Sequence, residues 1–286
     1  EVMAATLFGL GPRYQMAVCL YKTSQSGKSQ ILEIVKGLMP EGCRSSVPPQ
    51  SWGDRFEPTH MFGKLLNICG ELSERRMIDG QMFKGIICGE EISGQYKNKD
   101  LFQFQPIATH WFASNHLPKS MDASEGFNRR WLFLEFNKKA PYGAQIPDLG
   151  KKLLIEEREA ITAWAVQAMP RLIKQKGYTL PPSHYRVKRQ LENQNSSILH
   201  FVNSSERIIE GPQYTEPVFV SRLYDVYMDF CTGLLGVRVE DQRSFEVKLR
   251  EIATERNWKE KFVVNELGNE KMSYVGIKIV PKTTPR

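Results

Sequence analysis

Short apolar runs and helical patterns alternate through the first half of the chain. Gln15–Tyr21 (QMAVCLY) is an apolar run that predicts a buried strand. Ser29–Leu38 places Ile31, Leu32, Ile34, Val35 and Leu38 on one face of a helix that Pro40 stops. Leu65–Cys69 is a second short buried run. Glu91–Tyr96 and Leu101–Phe104 flank a polar Lys-Asn-Lys-Asp turn, which predicts a hairpin. Ile107–Ser114 and Trp131–Phe136 are further apolar runs. Strands alternating with helical stretches predict an α/β domain layered around a parallel sheet. A loop over residues 137–150 follows. From Lys151 to Lys174 the apolar positions Leu153, Leu154, Ile161, Trp164, Ala165, Ala168, Leu172 and Ile173 predict a helix, ended by Gly177 and the Pro181-Pro182 pair. Beyond it, Ser221 is placed to cap a helix over Leu223–Phe230, and Phe245–Ala253 predicts another. Lys261–Val264 and Tyr274–Val280 predict two strands joined around Gly268-Asn269. Helix, helix, hairpin is the order of a winged helix. The expected organisation is a core over residues 1–140, a helical extension over 141–195 and a winged-helix-like domain over 196–286.

Composition narrows the class. With 286 residues, 41% hydrophobic and 25% charged, the chain has enough apolar surface for one large domain or two ordinary ones, and wholesale disorder is excluded. No apolar run reaches the length of a membrane span, and EVMAATLFGL lacks the basic start of a signal peptide, so a cytoplasmic protein is expected. The absence of an initial Met reads as a fragment of something longer. Five cysteines without a C-x-x-C pair fit core thiols in a reducing compartment, and five scattered histidines show no metal-ligand spacing. The net charge of +7 permits nucleic-acid binding without demonstrating it.

The strongest chemical signal is Lys22-Thr23-Ser24-Gln25-Ser26-Gly27-Lys28-Ser29, between a predicted strand and a predicted helix. In that context backbone N–H groups and a helix N-terminus face the phosphates of a nucleotide, with Ser24, Gln25, Ser26, Gly27, Lys28 and Ser29 as the cradle. Gly27 permits the turn, Lys28 reaches the β/γ-phosphates, and Ser29 is a ligand for Mg2+. The pattern G-x-x-x-x-G-K-[ST] is met except at its first position, where Lys22 replaces Gly. A chance GKS at a helix cap is the competing reading, disfavoured by the flanking elements.

Later segments follow in a telling order. An apolar run ends at Gly70-Glu71; a hairpin carries Lys97 and Lys99; a strand ends in Ala113-Ser114-Asn115 before His116-Leu117-Pro118; and Arg129-Arg130 precedes a closing strand. This series resembles the superfamily 3 helicases, a branch of the AAA+ ATPases, in the form found in phage and plasmid primase-helicases. The C-terminal stretch S-R-L-Y-D-V-Y, then S-F-E-V-K-L, then Y-V-G-I-K-I, resembles the winged-helix module appended in those proteins. The resemblance implies an AAA+ P-loop core, ATP and Mg2+ as cofactors, and a motor that acts on single-stranded and forked DNA. It implies that Glu71 is the catalytic carboxylate and, with Ser29, a metal ligand. It implies that Asn115 orients the attacking water, and that Arg129 or Arg130 is a finger reaching a neighbouring subunit's ATP. Lys97 and Lys99 are implied to track strand phosphates inside a hexameric ring. A primase or polymerase domain ahead of Glu1, and a bacterial host cytoplasm, belong to the same picture. Many relatives carry two adjacent acids where this chain has Gly70-Glu71, so a lone carboxylate must serve the metal, the water or both. The alternative is a non-motor DNA-binding replication protein in which Lys22 and Gly70 mark a degenerate ATP site.

Overall fold

The computed structural model describes residues 1–234, 239–264 and 268–281. The chain divides into two units, Glu1–Leu191 and Glu192–Arg286.

In the first unit, helices α1 (Val2–Leu7) and α2 (Gly11–Tyr14) lead into strand β1 (Ala17–Lys22) and helix α3 (Lys28–Leu38). Strands β2 (Arg44–Ser45) and β3 (Leu66–Cys69) and helix α4 (Gly80–Cys88) come next. Strands β4 (Ile92–Gln95) and β5 (Leu101–Phe104) form an antiparallel hairpin, with Ile92 opposite Phe104. Strand β6 (Thr109–Ser114), helix α5 (Glu125–Asn128) and strand β7 (Trp131–Phe136) follow. The sheet order is β2-β3-β6-β1-β7, with every neighbouring pair parallel.

Strand alternation explains why this sheet carries two cores. Cys19 lies beside Phe112 and Phe133, and all three pack on one face with Trp52, Phe83 and Trp131. Val18 lies beside Trp111 and Leu132, and these pack on the other face with Leu32 and Val35 of α3. Successive side chains point to opposite faces, so a strand covered on both sides is mainly apolar and any polar side chain it carries must find a partner inside. Trp111 and Phe112 are therefore both core, on opposite faces. Phe83 is sandwiched between Trp52 and Trp131, at ring separations of 5.6 and 4.6 Å. Each such fully buried side chain contributes about 1.5–3 kcal/mol through area removed from water.

The helix expected over Lys151–Lys174 is three shorter ones: α6 (Leu149–Glu156), α7 (Arg158–Gln167) and α8 (Met169–Gln175). The first break falls at Glu157, whose φ of −131° is not helical. At the second, Pro170 occupies the first turn of α8, where its missing N–H is tolerated. Helix α9 (Pro182–Asn195) follows, and its Val187 and Leu191 join the Trp131 face of the core.

The second unit contains α10 (Ser197–Asn203), β8 (Ile208–Glu210), β9 (Val218–Phe219), α11 (Val220–Thr232), α12 (Gln242–Glu255), β10 (Lys259–Val264), β11 (Glu270–Val275) and β12 (Ile277–Ile279). Phe201, Leu223, Tyr227, Phe245, Leu249 and Tyr274 form its centre. Ser221 lies inside α11, which starts one residue earlier without a side-chain cap; the helices of this unit that carry one are α10, where Ser196 Oγ accepts from the Leu199 N–H at 3.2 Å, and α12, where Asp241 accepts from the Ser244 N–H at 3.0 Å. The predicted strand Tyr274–Val280 splits at Gly276, whose φ of +94° turns the chain from β11 to β12, and β12 pairs with β8 instead. Of the turn expected between the last two strands, residues 265–267 lie outside the described residues. No helix among the described residues is long and apolar enough to cross a membrane.

One polar cluster is buried in the first unit. His110 on β6 is 2% exposed, and its Nδ1 accepts from Asn67 Nδ2 at 3.3 Å. Asn67 also donates to the Val47 carbonyl and accepts from the Val47 N–H and the Ser45 hydroxyl. Burial pushes the His110 pKa down to about 3, so the ring is neutral in the folded protein. The unfolded chain takes up that proton below its ordinary pKa of 6.5, so stability falls as pH drops through the window between 6.5 and 3. The expected loss from this one group is about 1 kcal/mol at pH 5.5. Urea unfolding at pH 7.5 and 5.5 checks it: His110→Phe should show a smaller pH difference than the wild type.

Candidate functional site

β1 ends at Lys22 and α3 begins at Lys28, and the five residues between them form a tight loop. Lys22, Gln25 and Gly27 adopt left-handed φ values of +97°, +55° and +91°. Only the last is a residue that takes this region freely. Two non-glycine residues held there mark backbone strain concentrated at one loop, a common property of ligand-binding sites. Ser26 Oγ donates to the Thr23 carbonyl at 2.6 Å, closing the turn from inside.

The Lys28 side chain reaches back across this loop. Its ammonium donates to the carbonyls of Lys22, at 3.3 Å, and Thr23, and to Asn115 Oδ1 at 2.9 Å. Burial lowers its pKa from the ordinary lysine value, with the nearby Cys19 acting in the opposite direction. Asn115 is brought there by strand order: it directly follows β6, which lies beside β1 in register from Val18–Trp111 to Tyr21–Ser114. Glu71 follows β3, the next strand in the sheet, through the exposed Gly70. Parallel strands thus deliver the loop, an amide and a carboxylate to one edge, where open α/β sheets bind ligands.

These groups line one cavity of about 700 Å³, walled by Ser24–Gln30, Gly70, Glu71, Ser114 and Asn115. Its far side is Ala140 and the stretch from Ala144 to Leu149, tied to the loop by the Ala140 N–H, which donates to the Gln25 carbonyl at 3.0 Å. No motif marks this wall, which mixes Ala140, Ala144, Ile146, Pro147 and Leu149 with the polar Gln145 and Asp148. Ser29 and Glu71 present a hydroxyl and a carboxylate to the same space. That donor set fits Mg2+, which takes one or two protein oxygens and completes its shell with phosphate and water. No cluster of three or more His, Cys, Asp or Glu side chains suited to holding a metal occurs among the described residues.

The remaining candidates lie outside this cavity. Arg129 is exposed at the end of α5. Arg130 is 8% exposed and turned inward: Nε and Nη2 donate to Cys88 Sγ at 3.3 and 2.8 Å, and Nη1 donates to the Gly126 carbonyl. Lys97 and Lys99 are exposed at the tip of the β4–β5 hairpin, and neither enters an ion pair among the described residues. The tip is held by Tyr96, whose ring stacks on Phe102 at 5.3 Å, and by the Lys99 N–H, which donates to the Tyr96 carbonyl at 3.0 Å. In the second unit Lys248 pairs with Glu240 at 2.8 Å, and Arg250 lies 3.9 Å from Glu260.

Residues 20–130 match a family model described as "Family of unknown function (DUF5906)". Comparison with curated proteins finds no match. Among solved structures, the chain is similar to "The apo structure of NrS-1 C terminal region (305-718)", with 13% identity and a TM-score of 0.54, over 96% of this chain and 70% of that one. "The A form apo structure of NrS-1 C terminal region-CTR(305-718)" matches over the same shares with 13% identity and a TM-score of 0.48. At this identity the first of these matches speaks for a shared fold, that of a mixed α/β chain built on a five-stranded parallel sheet.

Proposed function

We propose that this chain is an ATP-dependent DNA helicase or translocase module of a phage- or plasmid-type replication protein, working as a hexameric ring with ATP hydrolysed between subunits. The observation that carries the reading is the Lys28 ammonium at the mouth of a strand–loop–helix turn, bonded to Asn115 in the cavity that Glu71 also lines. In this reading the loop amides and Lys28 bind the triphosphate, replacing the carbonyls of Lys22 and Thr23 with phosphate oxygens as partners of the ammonium. Asn115 and Glu71 hold and polarise the attacking water at the γ-phosphate. Ser29 and Glu71 hold Mg2+, which neutralises charge on the phosphates. Arg129, exposed and clear of its own cavity, reaches the neighbouring subunit's ATP. A ring closed by one head-to-tail interface supplies that geometry.

The hairpin tip is the proposed contact with single-stranded DNA. Lys97→Ala with Lys99→Ala should weaken binding of a single-stranded oligonucleotide. It should also reduce the slope of log K against log salt by about 1.4, the value for two lost phosphate contacts on a single strand. Fluorescence anisotropy across a salt series reads both; an unchanged slope assigns DNA contact elsewhere. The helix–helix–hairpin order of the second unit supports a winged helix, but the pairing of Lys248 and Arg250 with acids favours docking over groove reading for α12.

A non-motor DNA-binding protein is the rival reading. Lys22 keeps the left-handed turn that glycine supplies in the standard pattern, and this favours a working loop. ATP turnover measured with and without single-stranded DNA separates the two: stimulation supports the motor, and absence of turnover the rival.

A further inference from the structure

The first position of the phosphate loop is occupied by the wrong kind of residue in the right conformation. Lys22 sits at φ +97°, where a side chain is strained and glycine is at ease. Its side chain is half exposed, yet it is not free: Nζ donates to Glu135 Oε1 at 2.9 Å. Glu135 is the fifth residue of β7, which pairs with β1 on the side away from β6. Only 2% of the Glu135 side chain is exposed, and its second oxygen accepts from Arg186 Nη2 on α9. Burial pushes the Glu135 carboxyl up, yet bonds from Lys22, Arg186 and Asn137 outweigh it and hold the group below the usual carboxylate range. The carboxylate is therefore charged and anchored from two sides. On the other side of Lys22, its carbonyl accepts from the Lys28 ammonium, and Lys28 in turn reaches Asn115. A continuous chain of bonds runs from Arg186 through Glu135 and Lys22 to the two side chains that face the cavity.

We propose that Glu135 is a positioning residue for the phosphate loop: by gripping the Lys22 side chain from a fixed anchor on β7, it holds the left-handed turn that glycine would otherwise supply. The proposal rests on the nucleotide reading of the cavity for its functional consequence, and on the loop geometry alone for its structural one. A buried charge that merely braces β7 against α9 would have the same partners, so the two roles must be separated by what repairs the damage.

Glycine at position 22 is the repair. It adopts positive φ without strain and has no side chain to be held, so it makes the grip unnecessary. Lys22→Gly leaves Glu135 bonded to Arg186 and Asn137, so it strands no charge. Glu135→Gln keeps the side chain's size and removes its charge. The test compares wild type, E135Q, K22G and the double variant K22G/E135Q by two readouts: the Kd of a non-hydrolysable ATP analogue, and amide hydrogen exchange across residues 22–28 without nucleotide. E135Q should weaken the analogue by about tenfold, the scale set by holding an L-residue in the left-handed region, and speed exchange in the loop. The double variant should return to within about twofold of K22G alone on both measures. A double variant that carries the full E135Q penalty overturns the proposal and assigns Glu135 to the β7–α9 brace. If the wild type binds no analogue, the nucleotide reading fails, and the exchange measurement still decides between grip and brace.

Discussion

Lys28→Ala should reduce ATP turnover by at least about 10²-fold, the scale of removing one preorganised group that stabilises transition-state charge. The ammonium is held at 2.9 Å from Asn115 by loop carbonyls, and in the proposed mechanism this is where it meets the negative charge of the phosphates. Alanine also leaves Asn115 without its ammonium partner, so in the proposed mechanism binding and chemistry should fall together. The fold should survive, because Lys28 takes no part in either apolar core. Phosphate release at saturating ATP, read beside a thermal melt, separates loss of the site from loss of the protein. Turnover that persists in a folded K28A protein removes the loop from the mechanism.

Arg129→Ala and Arg130→Ala should fail in different ways although the residues are neighbours. R129A should keep the wild-type melting temperature and the ATP affinity of an isolated subunit, and lose turnover by about 10³-fold, the lower end of what an arginine finger supplies. R130A should lose stability, by about 1–3 kcal/mol, because its buried guanidinium holds Cys88 and the Gly126 carbonyl and fills the space around them. Melts and single-site binding curves of the two variants check the contrast. A destabilised R129A, or an R130A that is stable but dead, would reverse the assignment.

Much of this was readable from local pattern. The strand–loop–helix at residues 15–38, the hairpin around Lys97 and the apolar strands of the sheet all declared themselves through local pattern, because a strand buried on both faces is mostly apolar. Lys22 declared itself as an anomaly in the loop pattern. Its partner did not, since Glu135 lies 113 residues away and meets it only when β7 pairs with β1. A lone acid within WLFLEF is the one local hint, because a charge in a covered strand must be paired. The Arg129-Arg130 pair could not be divided by sequence either. Which of two adjacent residues faces outward depends on where α5 ends, and a four-residue helix leaves no period to read. The long helix expected after residue 150 is broken because its amphipathic pattern is continuous while its backbone is not: Glu157 leaves helical φ and Pro170 restarts the next helix. Gly276 divided a strand for the same reason, through a φ that apolar patterning does not register.

In the proposed ring, one catalytic site is built from two copies of this chain, the phosphate loop of one and Arg129 of the next. Mixing the two inactive variants, K28A and R129A, tests it directly. A subunit carrying R129A keeps an intact loop, and a K28A neighbour supplies the arginine it needs. At equal amounts and random assembly, about one interface in four is complete. Phosphate release should return to about a quarter of the wild-type rate on mixing; a mixture as inactive as its parts would show that no site is shared between subunits.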